Sequence, residues 1–339
     1  MLHRFVYDQP FQLENGAVLP NLEIAYHTYG QLSSDGSNVV WVCHALTANA
    51  DAAAWWPGVI GEGTAITPEK YFIVCANILG SCYGTTGPLS INPATGKPWF
   101  NSFPNITIRD MVKAHILLRQ HLNISSIALC MGGSMGGYQA MEWALAEPRV
   151  IRKLFLAATS AAESAWGIAI HEAQRLAIEA DPTWNADSPA AGANGLKAAR
   201  AIGMLTYRNY SAMVQRQAET ENDKLDQFKA ATYIRYQGEK LVTRFNAQSY
   251  WLLTKSMDSH NIARGRNVPV DEVLKSIQQP VLVMGITSDL LCPTIEQQKI
   301  AAAIPGANYI EIDSVYGHDG FLVEAGLISD NLGKWLENK

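Results

Sequence analysis

Residues 127–147 read Ile-Ala-Leu-Cys-Met-Gly-Gly-Ser-Met-Gly-Gly-Tyr-Gln-Ala-Met-Glu-Trp-Ala-Leu-Ala-Glu. A short apolar strand runs into a serine hemmed by glycines, and a helical pattern starts directly behind it. Gly132-Gly133-Ser134-Met135-Gly136 is a G-x-S-x-G elbow in the strand–turn–helix context that gives the pattern its meaning. The turn is too sharp for side chains at its flanks, so glycines are required there. It lifts the Ser134 hydroxyl off the sheet edge, where a nucleophile belongs. Few folds can present a serine this way, and all of them need a sheet whose strands end on one edge.

The rest of the chain supplies that sheet. Val39–Cys43, Tyr71–Cys75 and Ile127–Cys130 read as strands buried on both faces, as parallel strands are. Ile108–His121 and Tyr138–Ala146 have helical spacing, and Lys153–Ala157 predicts a further parallel strand. Upstream, Phe11-Gln12-Leu13 and Leu22–Tyr26 flank Asn15-Gly16, a hairpin signal. From about residue 161 to residue 277 the strand signal gives way to Ala-, Gln- and charge-rich stretches such as Glu172–Glu179 and Glu219–Phe228, which read as helices joined by polar loops. Strands resume at Pro280–Ile286 and Ala307–Asp313, and a closing helix is predicted over about Val323–Leu336. The alternation predicts a mostly parallel α/β sheet with helices on both faces. Residues 1–160 and 278–339 would form the core, and 161–277 an inserted helical lid over the catalytic end.

Composition sets the outer limits. The 339 residues are 48% hydrophobic and 17% charged, enough for a large core and unlike a disordered chain. A net charge of −5 with no basic stripe argues against nucleic acid as partner. The amino terminus meets Asp8 before any apolar run develops, and no stretch approaches the ~18–20 apolar residues of a membrane span. The five cysteines have no C-x-x-C spacing, and Cys43, Cys75 and Cys130 sit in or beside apolar strands as buried free thiols would. The expectation is a cytoplasmic enzyme.

A serine hydroxyl is a poor nucleophile until a base takes its proton, and that base needs an orienting carboxylate. After an elbow of this kind the partners follow in the order acid, then histidine. Asp289 stands just past the strand Pro280–Ile286, and His318 follows the strand that ends at Asp313. Both therefore lie at the carboxyl edge beside Ser134. An isolated reading of Asp289 is a turn carboxylate or helix cap before Pro293. The other histidines fit the base role less well. His3 and His27 belong to early strands, His115 and His121 to a helix, and His171 and His260 to the insertion as surface or packing residues. His44 ends a strand near the oxyanion hole, where it has at most a supporting role. The hole itself needs two backbone N–H donors. Met135, directly after the nucleophile, and Leu46, in the loop after Val39–Cys43, are the candidates; Asn49 and Asp51 would cap that loop.

Several longer strings carry a more specific signal. Cys43-His-Ala-Leu-Thr47, Asn77-Ile-Leu-Gly80 with Gly84-Thr-Thr-Gly-Pro88, Ser90–Pro98, Thr107–Met111, Gly132–Gly137 and Gly317-His-Asp319 together resemble the homoserine O-acetyltransferase family of the α/β-hydrolase fold. The resemblance runs over nearly the whole chain. It implies acetyl transfer from acetyl-CoA to L-homoserine in methionine biosynthesis, a ping-pong course through acetyl-Ser134, and a homodimer built through the lid. By the same resemblance Arg200, Tyr207 and Asp319 bind homoserine, with a guanidinium for the carboxylate and Asp319 for the ammonium. Without it, Arg200 would be read as a solvated helix residue and Tyr207 as a core aromatic; Arg208 competes for the clamp. Two departures stand out. Ala48-Asn49-Ala50-Asp51 replaces the usual Gly-Asp and histidine of the loop, which bears on acyl preference. Tyr138 stands where methionine is common and is read as packing.

Two kinds of rival remain. One is the same transferase using succinyl-CoA or serine, and the other is a carboxylesterase in which water resolves the acyl-enzyme. Neither a metal nor a bound cofactor is expected, since ligand spacing and phosphate-cradling glycine motifs are lacking; acetyl-CoA would be a co-substrate.

Overall fold

The structure, a computed structural model, describes residues 1–221 and 223–337. Its strands are β1 (Leu2–Tyr7), β2 (Phe11–Gln12), β3 (Val18–Leu19), β4 (Leu22–Tyr29), β5 (Val39–Cys43), β6 (Phe72–Ala76), β7 (Ile91–Asn92), β8 (Lys97–Pro98), β9 (Leu129–Gly133), β10 (Leu154–Ala157), β11 (Val281–Ile286) and β12 (Asn308–Ile312). The helices are α1 (Ala52–Trp55), α2 (Ile108–His121), α3 (Met135–Ala146), α4 (Ala165–Glu179), α5 (Ala193–Tyr207), α6 (Tyr210–Gln217), α7 (Lys229–Val242), α8 (Ala247–Asp258), α9 (Val270–Lys275), α10 (Thr294–Ala303), α11 (Gly320–Val323) and α12 (Ala325–Glu337).

Eight strands form one sheet in the order β1-β4-β6-β5-β9-β10-β11-β12. From β6 to β12 every pairing is parallel, and β1 and β4 add an antiparallel edge. Alternate residues along β5 show why its sequence is apolar throughout. Val39, Trp41 and Cys43 enter the core on one face, and Val40 and Val42 enter a second core on the other. A strand sandwiched between helix layers has no face left for polar residues. On the first face Trp41 meets Trp143 edge-on at 4.9 Å between ring centroids; on the second, Trp56 stacks near Phe155 at 6.3 Å.

Two local expectations are corrected. The Asn15-Gly16 turn joins β2 to β3, a ribbon of two pairs, whereas β4 pairs with β1. The edge strand β1 escaped the pattern because its residues are mostly exposed and carry no apolar alternation. Within the helix-rich stretch, Glu219–Phe228 connects α6 to α7 and is not itself helical; residue 222 lies outside the described residues. Among the described residues, six helices, α4 to α9, lie between β10 and β11.

The register carries the carboxyl ends of the strands to one edge. Cys43 pairs with Gly132, Ala157 with Gly133 and Met284 lies opposite Ala157, while Ile286 pairs with Ile312. Loops leaving β5, β9, β11 and β12 therefore emerge together. The elbow fits only because its glycines lack side chains. A Cβ on Gly136 would lie 2.1 Å from the Cys43 carbonyl oxygen, and one on Gly132 would lie 2.3 Å from the Gly136 carbonyl. Gly136→Ala should therefore force the elbow and the end of β5 apart, costing roughly 1–3 kcal/mol as an overpacked core site does. Urea denaturation checks this, and unchanged stability would mean that the approach is looser than described.

Candidate active site

Ser134 sits at φ 54°, ψ −128°, the first residue before α3. A non-glycine residue at positive φ is strained, and such strain persists where the surroundings over-determine it. Here the Ser134 N–H donates to the Ala157 carbonyl at 2.9 Å, and its own carbonyl accepts from the Thr159 hydroxyl at 2.8 Å. One end of the residue is held by the last residue of β10 and the other by the loop just beyond it, so the side chain is directed outward over the sheet edge.

Asp289 and His318 are brought together by the loops after β11 and β12. The His318 Nδ1–H donates to Asp289 Oδ2 at 2.6 Å, with both side chains buried. The second oxygen, Oδ1, accepts from the backbone N–H groups of Leu291 and Cys292, each at 2.8 Å. A carboxylate held by three donors is fixed in direction. It is not the cap of α10, whose first flanking residue is Pro293. Burial alone would lower the His318 pKa, but the charge of Asp289 and its hydrogen bond outweigh this and raise it above the ordinary imidazole value. With Nδ1 committed to Asp289, Nε2 is the nitrogen left to exchange a proton.

Cys292 comes close as well; its sulfur and the ligand atoms of Asp289 and His318 lie within 4.8 Å of one another. The donor set does not suit a cation. Both Asp289 oxygens already accept N–H groups, and burial pushes the Cys292 thiol well above its ordinary pKa, away from thiolate.

One cavity of about 530 Å³ is lined by Leu46, Ser134, Arg200, Tyr207, His318 and Asp319 among others. Met135, the other donor candidate, begins α3 and is fully buried directly behind Ser134. The Arg200 guanidinium lies over the Tyr207 ring, 5.1 Å from its centroid, and that ring stands 5.9 Å from the His318 imidazole. Arg208 is placed differently. Its Nη1 bonds Asp319 Oδ2 at 2.7 Å and its Nε donates to the Tyr233 hydroxyl at 3.3 Å, so its charge is already matched. Arg200, on the cavity wall, is the better placed of the two cations.

Sequence reasoning missed Trp55, Lys240, Arg244 and Phe321, which also line the cavity. Arg244 donates to the Thr47 carbonyl and, at 2.8 Å, to the Tyr83 hydroxyl, tying the segment after α7 to the loop after β5. No local signal marks these residues, because their position depends on how the helices pack over the sheet. Tyr138 does more than pack. It is buried and donates to Glu163 Oε2 at 2.9 Å, while burial raises the Glu163 pKa. His171 and His260 are both buried, so neither is a surface residue. In the loop after β5, the Asn49 side chain accepts from Asp51 N–H at 2.9 Å, and Asp51 accepts from the Tyr29 hydroxyl at 2.6 Å.

Known proteins resemble the chain in sequence and in fold. The alpha/beta hydrolase fold family matches residues 38–325. A homoserine O-acetyltransferase of Cyclobacterium marinum is 48% identical over 321 residues, spanning 94% of this chain and 91% of that protein. Among solved structures, homoserine O-acetyltransferase from Bacillus anthracis gives a TM-score of 0.93 at 24% identity, across 100% of this chain and 98% of its own. An acetylester hydrolase from Corynebacterium glutamicum gives 0.87 at 22% identity, across 100% and 96%. At these identities the two structures speak for the fold alone, and that fold serves a transferase and a hydrolase alike.

If His318 is the base, it works while neutral, so hydrolysis of an activated acetyl ester should fail as the pH falls through its raised pKa. Asp289→Asn removes the charge that raises it. The acid limb of the rate profile should then move to lower pH, and kcat should drop by about 10³–10⁴-fold through the wrong tautomer. A profile that stays in place would remove Asp289 from the role.

Proposed function

This chain belongs to the homoserine O-acetyltransferase family of the α/β-hydrolase fold, and we propose that it moves an acetyl group from acetyl-CoA to the hydroxyl of L-homoserine through an acetyl-Ser134 intermediate. The observation that carries this reading is the single cavity on which the nucleophile, the base and two oppositely charged side chains converge. Ser134 Oγ gives its proton to His318 Nε2 as it attacks the thioester carbonyl. The oxyanion meets the N–H groups of Leu46 and Met135; the C–S bond then breaks, and the leaving thiolate takes the proton from His318. In the second half the homoserine hydroxyl gives its proton to the same nitrogen and attacks acetyl-Ser134, whose oxygen leaves reprotonated.

Homoserine is a zwitterion, and the cavity offers a complement to each end. Arg200 faces its carboxylate, while Asp319, whose contact with Arg208 is made through Oδ2, meets its ammonium. Tyr207 fills the space between Arg200 and His318 and orients both. The chemistry needs no metal or resident cofactor, and acetyl-CoA enters and leaves as a co-substrate. The product is an activated amino-acid ester of the kind that methionine synthesis consumes.

Two further parts of the reading rest on other observations. Trp166, Leu176, Leu205, Tyr210 and Tyr236, on α4 to α7, are exposed large apolar or aromatic residues, which supports a homodimer joined through these helices. All five cysteines are free, as suits a reducing cytoplasm, and among the described residues no helix is long and apolar enough to cross a membrane.

The decisive assay follows free thiol release from acetyl-CoA and from succinyl-CoA, each with homoserine, serine or no acceptor. Release should require acetyl-CoA and homoserine together for sustained turnover, and should be lost in Ser134→Ala. Release independent of any amino acid would make the protein an esterase or thioesterase. Arg200→Ala should raise the KM for homoserine by roughly 10- to 100-fold, in line with loss of a charge-assisted bidentate contact. Hydrolysis of p-nitrophenyl acetate should stay largely intact in that variant, and an equal loss of both activities would make Arg200 structural.

A further inference from the structure

The loop that leaves β5 is anchored by a histidine the reaction does not use. His44 is fully buried, and two contacts fix the state of its ring. The backbone N–H of Ile78 points at Nε2 at 3.1 Å, and Nδ1 lies 2.9 Å from the Ala45 carbonyl oxygen. An N–H donor facing Nε2 requires that nitrogen to be bare, so the single proton of the neutral ring sits on Nδ1 and is donated to Ala45. Burial holds the ring neutral, lowering its pKa to about 4.

The Ala45 carbonyl belongs to the same peptide plane as the Leu46 N–H. In a trans peptide the two point in opposite directions, so gripping one aims the other. The Ala48 N–H also reaches this carbonyl, at 3.0 Å, and closes the turn. That bond shapes the loop internally; the histidine ties the loop to the framework, through Ile78 just beyond β6. A second buried group joins this loop to the elbow. The Gln139 Nε2 amide donates to the His44 carbonyl and to the Met135 carbonyl, both at 3.1 Å, while its Oε1 lies 3.0 Å from His115 Nε2. The His44–Ala45 stretch and the first turn of α3 are thereby cross-linked by one planar amide.

We propose that His44 and Gln139 are positioning residues that hold the Leu46 and Met135 N–H groups at the separation a tetrahedral oxyanion needs. The inference rests on the reading of those two amides as the oxyanion hole. Neither side chain lines the cavity, so neither touches substrate. Their effect falls on the transition state and leaves substrate binding alone.

The test uses a methyl trifluoromethyl ketone, which adds Ser134 Oγ across its carbonyl and leaves the oxyanion in the hole. His44→Phe keeps a planar ring, somewhat larger than imidazole, and removes both hydrogen bonds. Its Ki for the ketone should rise, and its kcat fall, by the same factor of about 10–100, short of the 10²–10³ lost when a donor is deleted outright. The KM for homoserine should stay within about twofold. His44→Asn retains a donor near Nδ1 and should recover to within about fivefold of the parent, whereas His44→Gln, which retains only an Nε2-like group, should resemble the Phe variant. Gln139→Leu, the second route if His44→Phe fails to fold, should show the same parallel loss in Ki and kcat. A fall in kcat with ketone affinity unchanged, or equal behaviour of the Asn and Gln variants, would overturn the proposal. Loss of homoserine transfer in the parent protein with ketone binding intact would instead overturn the transferase reading and leave this one standing.

Discussion

Everything at the site depends on how closely the elbow approaches the end of β5. With a Cβ on Gly136 only 2.1 Å from the Cys43 carbonyl, the two loops share a boundary that admits backbone and nothing else. That contact places the strained Ser134 beside the loop bearing Leu46, and the hydrogen bonds to Ala157 and Thr159 lock it there. Strain of this kind costs on the order of 1–3 kcal/mol and is tolerated because the sheet and α3 leave the residue no relaxed alternative. The nucleophile's exposure is thus a property of packing, spread over β5, β9, β10 and α3, more than of the serine itself.

Charge is arranged around this rigid point in two layers. The inner pair, Asp289 and His318, is buried, and both Asp289 oxygens are hydrogen-bonded, which turns an otherwise costly buried charge into a fixed field. The outer layer is less committed. Asp319, next to His318 in sequence, shares one oxygen with Arg208 and lines the cavity, and Arg200 stacks on Tyr207 without a carboxylate partner among the described residues. An amino acid entering the cavity would complete these outer charges while leaving the inner pair untouched. On the proposed reading, binding and proton transfer are separated in space, although His318 and Asp319 are consecutive residues.

The legible parts of this architecture are those encoded by local pattern. The buried parallel strands read clearly because both faces are apolar. The positions of Ser134 and Asp289 read clearly because each follows such a strand, and that of His318 because it follows the parallel edge strand β12 on the same side of the sheet. The antiparallel β1 was not legible, since an exposed edge strand needs no alternation. The pairing of Arg208 with Asp319 and the reach of Arg244 to Thr47 were not legible either. They depend on the path of helices over the sheet, which no short stretch of sequence records. His44 is the instructive intermediate case. Its place at the end of a strand was evident, but its tautomer follows only from an N–H group 34 residues away.

The same fold supports transfer to an alcohol in one relative and ester hydrolysis in another. The difference must therefore lie in what occupies the cavity once Ser134 is acylated, because base, acid and oxyanion donors serve both outcomes equally. Water is small, abundant and needs no clamp. An alcohol prevails only if its binding energy is spent on holding its hydroxyl at His318 and on excluding water from that spot. On the proposed reading Arg200 and Asp319 suit this, because they would act on groups of homoserine remote from the reacting oxygen and so orient the hydroxyl without touching it. Tyr207 adds the apolar wall, packed between the Arg200 guanidinium and the catalytic imidazole. On that reading, specificity for an amino-acid acceptor would reside in two charges and one ring on the cavity wall, and the rate in the backbone geometry beneath them.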